Sequence, residues 1–259
     1  MNKTALITGA SSGIGKELAR IHAAKGGDMV IVARSKDKLE ALKKEIEEKH
    51  KVKVKVIVKD LGNPEAPKEV YDEVQKAGIE VEYLINNAGF GLRGKFNEME
   101  LQKQVNMINL NMTSLTVLSH LFLQNFTKRN SGKILNVSST ASFMPGPLQA
   151  VYYATKTYVQ FLSNALFEEL NDTNITVTNL MPGATETEFA AVSGMDKTKL
   201  FDKTFSAHGV ALDGYNGMLK GKMDVISGVT CSQKIMFKMI PFMPKKMLLK
   251  QIKQMQEVN

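Results

Sequence analysis

Tyr152 and Lys156 stand four residues apart in the run Tyr152-Tyr153-Ala154-Thr155-Lys156, and Ser139 lies thirteen residues before the tyrosine. On a helix, residues four apart share a face, so the ammonium lies beside the phenol. A cation there is expected to draw the phenol's pKa from about 10 toward neutrality, letting it give or take a proton at working pH. Ser139, or its neighbour Ser138, can hydrogen-bond an oxygen held beside that phenol. The chemistry on offer is acid–base work at a carbonyl or hydroxyl group. Spacing alone does not select it, because a surface lysine beside a packing tyrosine shows the same pattern. Tyr153 is a weaker candidate than Tyr152, since its own partner four residues on is the uncharged Thr157.

A second group lies near the N-terminus, where Thr8-Gly9-Ala10-Ser11-Ser12-Gly13-Ile14-Gly15 follows the apolar run Ala5-Leu6-Ile7 and opens a helical pattern. Glycines there permit a tight turn and bring backbone N–H groups at a helix N-terminus close to a pyrophosphate. A Walker loop would need glycine at position 10 and a hydroxyl at 17, where Ala10 and Glu17 stand. The run Val30-Ile31-Val32-Ala33-Arg34-Ser35 closes the next apolar stretch. An acid commonly sits near this point, about 20 residues after the glycines, to bond a ribose 2′-hydroxyl. Arg34 stands there instead, and a guanidinium forks onto a 2′-phosphate. Lys36 and Lys38 add positive charge, so NADP(H) is the expected cofactor.

Short Val- and Ile-rich runs alternate with longer helical patterns, as in βαβ units of a parallel sheet. The pattern predicts strands near 3–8, 28–33, 52–58, 82–86, 133–138 and 174–180, with a short seventh at 224–226. Helices are predicted near 14–25, 36–49, 64–77, 97–111, 112–129 and 150–171. The helix over 36–49 carries its apolar stripe on Leu39, Leu42 and Ile46 among Lys and Glu. The expected fold is α/β: a doubly wound parallel sheet of six to seven strands with helices on both faces, binding its ligand at the carboxyl ends of the strands.

Taken in order, these motifs resemble the short-chain dehydrogenase/reductase superfamily over nearly the first 190 residues. Thr8 to Gly15 is similar to its cofactor turn, with Gly9, Ser11, Ser12, Gly13, Ile14 and Gly15 in the binding positions. Asp60 matches the acid after the third strand, and Asn86-Asn87-Ala88-Gly89 the segment after the fourth. Asn111, Ser139, Tyr152 and Lys156 match the catalytic tetrad, and the family interval is what favours Ser139 over Ser138 and Asn111 over Asn109. Pro182-Gly183 and Thr187 match the stretch that packs on the nicotinamide. The resemblance implies hydride transfer from NADPH to a ketone or aldehyde. Tyr152 would donate the proton, Ser139 orient the oxygen, Lys156 lower the tyrosine pKa and hold the nicotinamide ribose, and Asn111 organise a proton relay. Locally, Asp60 also reads as a cap before Leu61-Gly62, and Asn87 as a turn residue.

The 259 residues, 43% of them hydrophobic, suit a single Rossmann-type domain over 1–259. One cysteine, Cys231, and four scattered histidines offer no disulfide and no metal spacing. No secretory signal or long apolar span is evident, so a cytoplasmic setting is expected. The net charge of +8 is concentrated toward the end, at Lys222, Lys234, Lys238, Lys245, Lys246, Lys250 and Lys253. It comes without a nucleic-acid module. Residues 188–222 are expected to form the substrate side, with Phe189, Val192, Met195, Leu200, Phe205, Leu212, Tyr215 and Met218 suggesting a medium-sized apolar substrate such as a 3-oxoacyl or steroid-like ketone. The basic helical extension 229–259 replaces the more familiar family ending. It suits a cap over the site, a contact in a homodimer or homotetramer, or a peripheral membrane face.

Overall fold

The computed structural model describes residues 3–196, 198 and 201–257. Nine strands run in chain order: β1 (Thr4–Thr8), β2 (Met29–Ala33), β3 (Val54–Val58), β4 (Val81–Asn86), β5 (Gly132–Val137), β6 (Ile175–Pro182), β7 (Thr185–Glu186), β8 (Phe205–Ser206) and β9 (Asp224–Ser227). Seven of them form one parallel sheet in the order β3-β2-β1-β4-β5-β6-β9, while β7 and β8 pair separately. The helices are α1 (Gly13–Ala24), α2 (Lys36–His50), α3 (Ala66–Lys76), α4 (Leu101–Ile108), α5 (Leu115–Arg129), α6 (Ala150–Glu169), α7 (Phe189–Ser193), α8 (Ala207–Leu219), α9 (Cys231–Met239) and α10 (Lys245–Gln256).

Side chains alternate along a strand, and here both faces of the sheet are covered. Ala5, Ile7, Met29 and Ile31 pack in one core with Leu18 of α1, Leu39 of α2 and Val210 of α8. Leu6, Val30 and Val32 face the opposite core, with Val70 of α3, Phe122 of α5 and Leu166 of α6. The strand order reverses between β1 and β4, which opens a cleft at the carboxyl edge of those strands.

All seven expected sheet strands are present, including the short β9 beside β6. The helix expected from residue 97 begins instead at Leu101, because the preceding residues make a turn. That turn is held by the Glu98 N–H donating to the Lys95 carbonyl at 2.9 Å, and by the buried Gln104 amide donating to the Phe96 and Met99 carbonyls. The break expected at 111–112 is a wide π-helical turn, Asn109–Ser114, which joins α4 to α5 in one helical run.

Candidate active site

β1 ends at Thr8, and Gly9 and Gly13 then adopt left-handed backbone conformations with φ of +66° and +52°. A Cβ on Gly15 would lie 2.3 Å from the Gly9 carbonyl oxygen and 2.4 Å from Asn87 Nδ2, so only glycine fits where the turn enters α1. This turn is tied to the one after β4. Thr8 Oγ1 accepts the N–H groups of Asn87 and Ala88, each at 3.0 Å, and Asn87 Nδ2 donates to the carbonyls of Thr8 and Gly9 at 3.0 and 3.2 Å. Asn86 points the other way, donating to Ser119 Oγ and Asn136 Oδ1 inside the sheet core. The strands that flank the cleft are thereby locked together at its floor.

Arg34, at the end of β2, is exposed, with Nη1 3.9 Å from Asp60 Oδ2. The other Asp60 oxygen accepts the Gly62 N–H at 2.9 Å, so this carboxylate closes its own turn while also bordering the cleft. Lys38 reaches across to Glu188 at 2.7 Å, while Lys36 stays outside the cleft. On the far wall, Thr187 comes so near the glycine turn that a Cβ on Gly13 would meet its Cγ2 at 2.9 Å. The Gly183 N–H, just past β6, donates to the Ser227 carbonyl at 2.9 Å, which fastens that wall to β9.

Deeper in, α6 presents Tyr152 and Lys156 on one buried face. Lys156 Nζ donates to the Val137 carbonyl at 3.0 Å and lies 5.8 Å from the centre of the Tyr152 ring. Burial pushes the Lys156 ammonium down to about 8. It also pushes the Tyr152 phenol up to about 12, with the Ser139 hydroxyl opposing that rise. The expected lowering of the phenol by the lysine is therefore reversed in direction. Desolvation of the phenolate dominates, and the lysine, itself desolvated, is not among the causes acting on the phenol. Protonated at neutral pH, Tyr152 is suited to giving a proton rather than taking one.

Ser138 and Ser139 both border the cleft, but the Ser139 hydroxyl meets Tyr152 while the Ser138 hydroxyl donates to Asn179 Oδ1 at 2.6 Å. The Tyr153 hydroxyl accepts from Gln256 Nε2 at 3.0 Å, so this tyrosine anchors the end of α10. Asn111 lies behind the cleft wall in the π turn. Its amide donates to the Phe90 carbonyl and to Thr155 Oγ1, both at 3.0 Å, and its Oδ1 accepts the Phe90 N–H. A Cβ on Gly89 would stand 3.1 Å from Asn111 Oδ1 and 3.3 Å from Lys156 Nζ, so the glycine's bareness lets the two approach.

One cavity of about 620 Å³ joins these parts. Gly9, Ser11, Ser12, Gly13, Ile14, Arg34, Asp60, Asn87, Ala88 and Gly89 line its nucleotide end. Ser139, Tyr152, Lys156, Pro182, Gly183 and Thr187 line its middle. Gly15 and Asn111 sit behind the lining. The floor of bare glycines, and a buried ammonium with one protein acceptor among the described residues, fit a dinucleotide.

The far end of the cavity is an apolar chamber walled by Phe189, Met195, Phe201, Met236, Phe237 and Ile240. Phe189 packs on the Tyr152 ring, 5.4 Å between centres. Of the side chains expected here, Phe189, Val192 and Met195 line the cavity. Tyr215 and Met218 instead bury themselves in the core between α8 and the sheet, and Phe205 and Leu212 lie outside the lining. An apolar helix residue looks alike in sequence whether it meets a sheet or a cavity, and those of α8 meet the sheet. Leu200 falls outside the described residues. The chamber's outer wall comes from α9 and α10, which cluster Phe237, Ile240, Leu248 and Ile252 against Phe143 and Met144. The extension thus packs on its own chain as a cap. Gln149 is a further residue that sequence reasoning missed. It is buried at the start of α6, lines the cavity, and its Nε2 has no hydrogen-bond partner among the described residues.

A parallel sheet whose switch-point cleft runs into a buried tyrosine–lysine pair defines the class of dinucleotide-binding oxidoreductases. Within that class the chain belongs to the short-chain dehydrogenase family, whose model matches residues 3–198. It is 32% identical over 227 residues to the very-long-chain 3-oxoacyl-CoA reductase of Homo sapiens, an alignment spanning 85% of this chain and 72% of that protein. Among solved structures it resembles a short-chain dehydrogenase from Sphingobium yanoikuyae in complex with NADPH, at 30% identity and a TM-score of 0.84 over 99% of this chain and 98% of that one. It also resembles the bulky-bulky ketone specific alcohol dehydrogenase from Comamonas testosteroni, at 28% identity and a TM-score of 0.79 over 99% and 97% of the two chains.

Proposed function

We propose that this oxidoreductase uses NADPH to reduce the ketone of a medium-sized apolar substrate to an alcohol, with a 3-oxoacyl thioester as the leading substrate class. The observation that carries the reading is the continuity of the cavity, from the glycine turn through Ser139, Tyr152 and Lys156 into the apolar chamber. NADPH, when bound, supplies the hydride. Gly9 through Gly15 offer backbone N–H groups to its pyrophosphate, Arg34 and then Lys38 face its 2′-phosphate, and Asp60 and Asn87 border its adenosine half. Lys156 would hold the nicotinamide ribose, and Pro182, Gly183 and Thr187, which line the cavity beside it, would hold the nicotinamide.

At the reacting carbon, the Ser139 hydroxyl orients the substrate oxygen and Tyr152 gives it a proton. Asn111, fixed by Phe90 and Thr155, steadies the wall behind Lys156 and organises the relay that returns the proton. A 3-oxoacyl group is the substrate class that the relative's printed activity points to. A single domain over 1–259 carries the whole reaction. The exposed Leu101 and Val105 of α4 and Phe161 of α6 support self-association of the chain as a dimer or tetramer. No helix among the described residues is long and apolar enough to cross a membrane. The exposed thiol of Cys231 suits a reducing compartment such as the cytoplasm.

A panel of 3-oxoacyl thioesters, bulky ketones and small aldehydes, followed by NADPH absorbance, tests the reading. The expected result is a kcat/KM for 3-oxoacyl thioesters above that for small aldehydes, and a preference for NADPH over NADH of at least about tenfold, the worth of one charge-assisted contact. Equal or better use of NADH would overturn the cofactor assignment, and preference for small aldehydes would overturn the substrate class.

A further inference from the structure

The outer surface of the α9–α10 pair has a composition that its role as a cap does not explain. Phe237 and Ile240 turn inward, yet Ile235 and Met239, one helical turn apart on α9, are 65% and 52% exposed, and Phe242 at the junction of the two helices is 80% exposed. These three share one side of the helical run. The same two helices carry Lys234, Lys238, Lys245, Lys246 and Lys250, all exposed and without an ion pair among the described residues. The only acid from 229 to 257 is Glu257, which pairs with Lys253.

We propose that this face docks the protein onto an anionic lipid surface, with Ile235, Met239 and Phe242 entering the interface and the lysines meeting the headgroups. An apolar ridge on helices that also bear unpaired ammonium groups is complementary to such a surface in both respects. A second copy of the chain is a poorer occupant, because two such faces would bring their lysines together. A nucleic acid would engage the lysines but leave the ridge in water.

The same helices form the rim of the chamber, where Met236 and Met255 line the cavity and stay 44% and 43% exposed. Docking therefore turns the chamber mouth toward the lipid, so that an apolar substrate enters from the bilayer; that consequence rests on the chamber being the substrate site, whereas the docking itself does not.

Sedimentation of the full chain with vesicles of phosphatidylcholine, with or without phosphatidylserine, tests the docking. The protein is expected to sediment with the phosphatidylserine vesicles at low salt and to be released at high salt, as screening shortens the attraction. Phe242→Ser should weaken binding about tenfold, and Lys234→Ser with Lys238→Ser about fivefold per lysine. All three positions are exposed, so melting temperature and NADPH affinity, read alongside, should stay at wild-type values. Failure to bind either vesicle, equal binding to both, or wild-type binding by the Phe242 variant would overturn the proposal. So would a dimer in sedimentation velocity that Phe242→Ser dissociates, since that result gives the face to a second copy.

Discussion

Lys156 and Tyr152 titrate apart because the same burial acts on groups of opposite charge type. Desolvation disfavours the ammonium and the phenolate alike, lowering the first and raising the second. The spacing of the pair was legible in the sequence, but the direction of the phenol's shift was not, since it depends on depth of burial. A stability effect follows for the cofactor-free protein. Below pH 8 both the folded and unfolded chains hold the lysine proton, and the full cost of burying the ammonium is present. Between about pH 8 and 10.5 the unfolded chain binds more protons than the folded one, so this cost is relieved as pH rises. The gain should reach about 3 kcal/mol, from a change of roughly 2.5 in pKa at 1.36 kcal/mol each. Urea unfolding of wild type and Lys156→Met across that range should show the wild type gaining relative to the variant. Both chains keep the raised tyrosines, which act only above pH 10, so their effect cancels; parallel pH profiles would show that the ammonium is not desolvated. For the reaction, Tyr152→Phe should lower kcat by about 10³ while NADPH affinity, read by fluorescence titration, changes less than about twofold. A comparable fall in both would make the tyrosine a packing residue.

At the level of elements, the central strands were readable because they are buried on both faces, so their apolar residues run nearly continuously. The glycine turn was readable because its backbone angles and close approaches tolerate few other residues. Gly15→Ala tests this directly: its methyl group would press on the Gly9 carbonyl and the Asn87 amide, both held in place by the turn. The variant should lose at least about tenfold in NADPH affinity and about 2 kcal/mol in stability, measured by titration and by urea unfolding. Retained affinity would mean that the floor of the cleft can yield. The helices of the second half were harder to place. α8 and α9 both carry apolar stripes, and a stripe announces a buried face without naming the surface that covers it. Only the tertiary arrangement shows that Tyr215 packs on the sheet layer while Phe237 closes the chamber. Gln149 escaped notice for a related reason, since one amide before a helix carries no periodicity.

For the molecule as a whole, Leu101 and Val105 of α4 and Phe161 of α6 are apolar side chains left exposed on two helices that touch. Sedimentation velocity should give a dimer or larger species for wild type and a lighter one for Phe161→Glu, with melting temperature nearly unchanged because the side chain is 67% exposed. A wild-type monomer would leave these side chains for another partner. The anchoring of α10 has a consequence in time as well as in space. Gln256 holds Tyr153 through its side chain, and its carbonyl accepts the Nε–H of Arg93, 163 positions earlier, at 2.7 Å, so the end of α10 seals the chamber. During synthesis, which proceeds from the N-terminus, the glycine turn and the Ser139–Lys156 cluster emerge well before the wall that closes the chamber. The glycine turn and the tyrosine–lysine pair are thus made before the two helices that close the chamber over them.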